Sequence, residues 1–229
     1  MPQEKFIQVD TVILSDIHLG LSQSRALALV AALKSYRFKR LILNGDIFDD
    51  MNFGRLNSDH WEVVSYIRHV SKFSEVIWII GNHDGRALFL SRLLGVKVYD
   101  FFEWQEGRVK CLAIHGHQYD RFISKNLFIS NLAGWVYYWL RDIEHSNQFM
   151  TDLIKRYSRS WLRLSDEVAK GALRLAKEKG AHFVFCGHTH LPLKMSHKGI
   201  EYINSGSWVE SPSSMIIIDK GKPELIRFS

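Results

Sequence analysis

The sequence predicts an α/β fold, a parallel sheet wrapped by helices with a helical cap inserted late in the chain. Three observations carry this. Short apolar runs such as Val76–Ile80 stop at glycine or at polar residues, as buried parallel strands do. The stretches between the early runs carry apolar residues at helical spacing. The resulting strand–helix–strand–helix–strand rhythm is that of parallel strands joined by crossover helices.

Taken in order, Val9–Ser15 (VDTVILS) is the first expected strand and runs into Asp16-Ile17-His18. Asp and His two apart at a strand end point to the same side, a geometry suited to two ligands of one metal. Ser24–Lys34 has helical periodicity, and Arg40–Asn44 is the next strand, followed by Gly45-Asp46-Ile47-Phe48-Asp49. From Ser58 to Lys72, Trp61, Val64, Ile67 and Val70 recur at helical spacing. The Val76–Ile80 strand then opens at Gly81 into Asn82, His83 and Asp84. Ala87–Leu94 is expected to form a short helix. Phe101–Trp104 and Val109–Ile114 read as paired strands, the second leading into His115-Gly116-His117.

The character then changes. From Gln118 to about Ser160 the chain is dense in aromatic and basic residues, which suggests a helical cap. Trp161–Lys179 reads as a longer helix, so the insertion spans about 118–180 of a single domain covering 1–229. His182–Cys186 is a strand ending in Gly187-His188-Thr189-His190. Ile200–Asn204, Ser207–Val209, Met215–Asp219 and Leu225–Phe228 read as a short-strand meander forming a second sheet.

Composition sets bounds. The 229 residues, 46% hydrophobic, suffice for one full core. The net charge of +6 is compatible with a phosphate-bearing partner. The two cysteines, Cys111 and Cys186, lie inside apolar runs and offer neither a disulfide scaffold nor a thiolate zinc site. The start, MPQEKFIQVD, lacks signal-peptide character, which leads us to expect a cytoplasmic protein. No apolar run reaches the roughly 18 residues of a membrane span.

The polar residues at the strand ends form a set: Asp16 and His18, Asp46, Asn82 and His83, His115, then His188 and His190. Carboxylate, imidazole and amide donors without thiolate suit Mn, Fe, Zn or Co. One histidine after a strand is more often a hydrogen-bonded residue than a ligand. Five strand ends finishing this way favour a site for two ions sharing a carboxylate.

The motifs D-x-H, G-D-x-x-D, G-N-H-D, a histidine-bearing strand end and G-H-T-H, in that order, resemble the calcineurin-like metallophosphoesterase superfamily. The resemblance implies a two-sheet β-sandwich flanked by helices. It also implies two divalent ions, Mn2+ first, one held by Asp16, His18, Asp46 and His190, the other by Asp46, Asn82, His115 and His188. Of His115 and His117, the former follows its strand directly, as the family's ligand does, and His117 is left to support it or to face substrate. Two such ions lower the pKa of a bridging water and clamp phosphoryl oxygens for in-line attack. His83 is then free to stabilise the phosphate or protonate the leaving oxygen, and the family pattern pairs it with Asp49.

Within the superfamily the chain looks closest to the UDP-diacylglucosamine hydrolases of lipid A synthesis, which share D-I-H-L, G-D-I-F and a helical insertion before the last motif. Two departures are His83, where that branch has Arg, and His117, where it has Asp. The expected reaction is cleavage of the pyrophosphate of a UDP-linked acylated glucosamine, releasing UMP. In the cap, Leu127–Leu140 is too short and too interrupted to span a bilayer and suits an acyl groove or peripheral contact with the inner membrane. The insertion's own core or a dimer interface is the plainer reading of those aromatics. Arg121, Lys125, Trp135, Arg156 and His117 are the expected substrate contacts. A non-lipid phosphodiesterase acting on nucleotides or nucleic acid is the alternative, less favoured than a lipidated small molecule.

Overall fold

Three consecutive residues, Val12, Ile13 and Leu14, explain the layering. Side chains alternate across a strand. Val12 and Leu14 belong to one apolar cluster and Ile13 to another, and all three are fully buried. A strand buried on both faces needs a layer on each side. The computed structural model, which describes residues 6–85, 89, 91, 92, 95–120 and 148–229, supplies them. Helices cover a six-stranded sheet, that sheet packs on a five-stranded one, and a further helix covers the second. The fold is α/β, a two-sheet sandwich flanked by helices.

In the first sheet, β1 (Ile7–Leu14), β2 (Tyr36–Asn44), β3 (Glu75–Ile79) and β4 (Lys97–Tyr99) run parallel in that order. Two helices, α1 (Ala26–Lys34) and α2 (Ser58–Val70), cover its outer face. The start of α2 is set by a capping box: the Asn57 side chain accepts the His60 N–H and the His60 ring accepts the Asn57 N–H. Leu29 and Leu33 from α1 and Val63 and Ile67 from α2 bury against Val12, Leu14, Leu41, Leu43 and Trp78.

The second sheet is built from β5 (Phe101–Glu106), β6 (Val109–Ile114), β7 (Phe183–Cys186), β8 (Leu193–His197) and β9 (Ile200–Asn204), in the order β5-β6-β7-β9-β8. Its inner face brings Cys111, Ala113, Phe185 and Ile203 against Ile13, Ile42, Ile77 and Ile79. Its outer face packs Leu112, Val184 and Tyr202 on Ala169, Ala172, Leu173 and Ala176 of α3 (Gln148–Lys179). Both cysteines are buried and unpaired, as expected.

The tail differs from expectation. It does not form the second sheet alone: β10 (Ser213–Asp219) and β11 (Lys222–Phe228) extend the first sheet, with β10 antiparallel to β1. Ile216 and Ile218 face the space between the sheets while Met215 and Ile217 face the helices, so β10, apolar on both sides, fits beside β1. Ser207–Val209 is not a strand; Trp208 is instead fully buried and its backbone N–H donates to the Asp16 carbonyl at 2.9 Å. The long helix starts well before Trp161. Most of the helix expected over 87–94, and the cap from 121 to 147, lie outside the described residues. Among the described residues no helix is long and apolar enough to cross a membrane.

Candidate metal centre

Parallel strands deliver whatever follows them to one edge of a sheet, and two packed sheets can bring two such edges together. Here β1, β2 and β3 of one sheet and β6 and β7 of the other stop at a common rim. The Asn44 amide ties the rims by donating to the carbonyls of Ile114 at 3.2 Å and Phe185 at 3.3 Å. Directly beyond lie Asp16, His18, Asp46, His83, His115, His188 and His190.

The backbone marks the same residues. Seven described non-glycine residues have positive φ, and five of them are Asp16 (52°), His18 (48°), Asp46 (53°), His188 (68°) and His190 (54°). Left-handed backbone costs an L-residue energy and persists where the surroundings enforce it, which happens most often at functional sites.

Their side chains form three overlapping groups with donor atoms within 4.8 Å of one another: Asp16, His18 and His190; His18, Asp46 and His83; and Asp46, His115 and His188. His190 Nε2 lies 3.3 Å from Asp16 Oδ1 and 3.2 Å from His18 Nε2. Asp46 Oδ2 lies 3.2 Å from His115 Nε2 and 4.0 Å from His18 Nε2. His115 tests the fit to a cation most directly. Its Nδ1–H donates to the Asn44 carbonyl at 2.7 Å, which turns the fully buried Nε2 towards Asp46 Oδ2, 3.2 Å away, with no hydrogen bond formed there. An oriented, dry imidazole nitrogen facing a carboxylate is how proteins present a ligand to a metal. The donor set fits a divalent cation.

Charge within the site points the same way. Burial opposes ionisation of Asp46, but His115, His18 and His83 outweigh it and hold its carboxyl well below the usual range. Burial likewise disfavours charged His115, yet the Asp46 carboxylate pushes its pKa up to about 9. Burial, aided by charge on His115 and His188, drives His117 down to about 4. For Asp16, burial is again overcome, chiefly by His190, and the pKa is lowered.

Two buried carboxylates missed in the sequence complete the surroundings. Asp120 Oδ2 lies 3.0 Å from His188 Nε2. That contact orients the ring in the manner of a carboxylate behind a metal-bound histidine. Asp84, the last letter of G-N-H-D, turns inward and accepts five N–H bonds. Its place in that motif was a signal; Asp120 had none beyond being a carboxylate close after His115.

The expected pairing of His83 with the Asp49 carboxylate is corrected. His83 Nδ1 donates instead to the Asp49 backbone carbonyl at 2.7 Å. The carboxylate faces His18 Nδ1 at 3.6 Å and Arg55 at 2.6 Å, because the turn after β2 carries that side chain back towards the Leu19 side. Burial acts against the Asp49 charge, but His18 and Arg55 keep its pKa lowered. Asn82 is exposed, one residue before His83, whose N–H donates to Asp46 Oδ1 at 2.9 Å. His117 falls in none of the three groups; its ring lies 5.5 Å from that of His115, and its buried Nδ1 has no partner. Arg121, Lys125 and Trp135, and the side chain of Arg156, lie outside the described residues.

The mouth has an apolar edge that sequence reasoning did not anticipate. Met51 packs against Gly85, two residues beyond His83, and Phe53 stacks on Phe89 with centroids 6.2 Å apart. Met51 and Phe89 are exposed. A cavity of about 1040 Å³ sits at the other end of the strands, lined by Phe6, Tyr36, Phe38, Tyr66 and Phe73, and it holds none of the clustered donors.

Comparison with known proteins agrees with this geometry. The family described as calcineurin-like phosphoesterase matches residues 10–192. No curated protein matches the sequence. Solved structures with a similar fold include one described as a novel archaeal phosphodiesterase (TM-score 0.53, 16% identity, covering 95% of this chain and 99% of that one). A hypothetical protein from Pyrococcus horikoshii OT3 has a TM-score of 0.55 at 13% identity, covering 97% and 88%. A single mutant of Vps29 from Entamoeba histolytica has 0.51 at 13% identity, covering 96% and 99%.

Proposed function

Since the chain belongs to the calcineurin-like phosphoesterase family and is a metal-dependent phosphoester hydrolase, we propose that it works with two divalent cations, Mn2+ first, and cleaves the pyrophosphate of a UDP-linked acylated glucosamine to release UMP. The observation that carries the two-ion reading is the overlap of the donor groups on Asp46, which belongs to both the His18 group and the His115 group. Asp16, His18, Asp46 and His190 would hold one ion, and Asp46, Asn82, His115 and His188 the other. Bound there, the ions supply Lewis acidity towards phosphoryl oxygens and a nucleophile at neutral pH.

The chain's own residues do the rest. Asp46 turns Oδ2 towards both His115 and His18, so it would be shared between the two ions, and anchors the His83 backbone through Oδ1. The Asp49 carbonyl fixes His83 with its proton on Nδ1, so Nε2 is the atom left to act. In the imidazolium form Nε2–H donates to the leaving oxygen or to a phosphoryl oxygen. The Asp49 carboxylate accepts from Arg55 at 2.6 Å and places a negative charge 3.6 Å from His18 Nδ1.

The acylated substrate is supported by the D-I-H-L and G-D-I-F resemblance, by the aromatic cap at 127–140, and by the apolar edge of Met51, Phe53 and Phe89. Contact of the cap with a membrane surface belongs to the same proposal. The test is a series of UDP-glucosamines with long, short and no acyl chains, assayed for kcat/KM with Asp46→Asn as the inactive control. Each acyl methylene buried contributes about 0.8 kcal/mol, roughly fourfold, so activity should fall stepwise as the chains shorten. Equal turnover of the unacylated member would defeat the lipid reading. The retained proton donor His83, suited to poor alkoxide leaving groups, would then favour a general phosphodiesterase. Full activity in metal-free protein would defeat the metal reading.

A further inference from the structure

Asp84 is fully buried, carries a charge-bearing group, and lies two residues from an expected ligand, yet it belongs to none of the donor groups. Its oxygens are already engaged. Oδ2 accepts the N–H of Asp46 at 2.9 Å, the N–H of Gly81 at 2.9 Å and the indole N–H of Trp78 at 3.0 Å. Oδ1 accepts the N–H of Ile47 at 2.7 Å and of Phe48 at 3.2 Å. Five donors converging on two oxygens require an acceptor-only group, which among side chains of this length only an ionised Asp provides. Asparagine would turn an amide N–H2 towards N–H groups.

The bonds form an interlock between two loops. Asp84, in the loop after β3, holds three successive N–H groups of the loop after β2, including that of Asp46 with its left-handed φ of 53°. Asp46 answers by accepting the His83 N–H in the loop after β3. Each carboxylate fixes the backbone that carries the other. Neither loop can shift Asp46 or His83 relative to its neighbour without breaking several charge-assisted bonds in a dry environment.

We propose that Asp84 is a positioning residue: from outside the ligand set it holds the Asp46–Phe48 backbone in the strained conformation that presents Asp46 to the cations and sets His83 beside it. The proposal rests on the metal reading of the centre given above. It differs from a purely structural role in one respect. Losing the Trp78 bond should cost stability alone, whereas losing the backbone bonds should cost metal affinity.

The experiment uses the full chain depleted of metal and titrated with Mn2+ alone, alongside thermal unfolding and steady-state kinetics on an aryl phosphodiester. Asp84→Asn should weaken Mn2+ binding by about 10- to 100-fold and lower kcat even at saturating Mn2+. Trp78→Phe, which removes one donor and leaves the four backbone bonds, should lower the melting temperature while keeping Mn2+ affinity within about twofold. Amide exchange on the unaltered, metal-free protein gives a reading independent of either variant's folding: the N–H groups of Asp46, Ile47, Phe48 and Gly81 should be protected without metal. Wild-type Mn2+ affinity in Asp84→Asn, an equal loss in Trp78→Phe, or rapid exchange of those four amides would overturn the assignment. Failure of the wild-type chain to bind Mn2+ would instead remove the metal reading on which it rests.

Discussion

Gly81→Ala is a sharp test of how tightly Asp46 is held. A Cβ on Gly81 would stand 2.8 Å from Asp46 Cγ, and closer still to its Oδ1 and backbone nitrogen. Carbon atoms in contact sit about 3.5–4.0 Å apart, so Asp46 would have to retreat by roughly 1 Å. Gly81 is not among the glycines with positive φ, so alanine meets no backbone penalty there and the effect is one of space. Retreat is resisted on every side: Oδ1 holds the His83 N–H, Oδ2 faces His115, and the Asp46 N–H is bonded to Asp84. A 1 Å misplacement of catalytic groups costs about 100-fold in rate, or ~2.7 kcal/mol at about 1.36 kcal/mol per tenfold. Overpacking should also lower stability by about 1–3 kcal/mol. The assay is kcat/KM on an aryl phosphodiester in excess Mn2+, with bound metal and melting temperature measured on the same preparation. A folded Gly81→Ala protein with full metal content and a rate within about threefold of wild type would refute this account of the contact.

His83→Ala keeps the backbone N–H that bonds Asp46, so metal content should hold while the rate falls by about 10²- to 10⁴-fold. The loss should be larger for alkyl phosphodiesters than for p-nitrophenyl ones; equal losses would reduce His83 to a phosphate contact. The metal-free protein should be most stable near pH 6.5, because two histidines pull in opposite directions. His115, raised to about 9 when folded, contributes stability that is complete below its unfolded pKa of about 6.5 and is lost as pH rises through about 9. His117, depressed to about 4, contributes stability that is present above about 6.5 and is lost as pH falls through about 4. Melting curves of chelator-treated protein across this range check both; a melting temperature flat from pH 4 to 9 would contradict these shifts.

What was legible in the sequence followed from local pattern. The C-terminal parts of β1, β2, β3, β6 and β7 are buried on both faces and stop abruptly, so their ends, and the residues beyond them, could be read directly. β4 and β8 could not: Lys97–Tyr99 and Leu193–His197 are short edge strands with half-exposed, partly polar residues and no alternation strong enough to stand out. The sheet membership of β10 was hidden for a different reason. Its partner β1 lies at the far end of the chain, and nothing within Ser213–Asp219 states which of two apolar sheets it joins. The site was legible as a set of donors but not in its bonding. Both His83–Asp49 and Asp84 turned on the direction of a side chain leaving a tight turn, which backbone conformation decides and composition does not.

The overlap of strand ends from both sheets has a consequence for biosynthesis. His18 and His190 are 172 residues apart in the chain, yet their ring nitrogens stand 3.2 Å from each other. A nascent chain emerging from the ribosome offers Asp16 and His18 early but cannot complete their group until His190 has emerged and the second sheet has formed against the first. A local zinc knot gathers its ligands within a few dozen residues and is folded by its ion. Here the group of Asp16, His18 and His190 is complete only once the two sheets have packed. Loading is then a choice made by a completed shape, where coordination geometry and metal supply weigh more than the raw affinity ranking that would govern an unfolded chain rich in histidine.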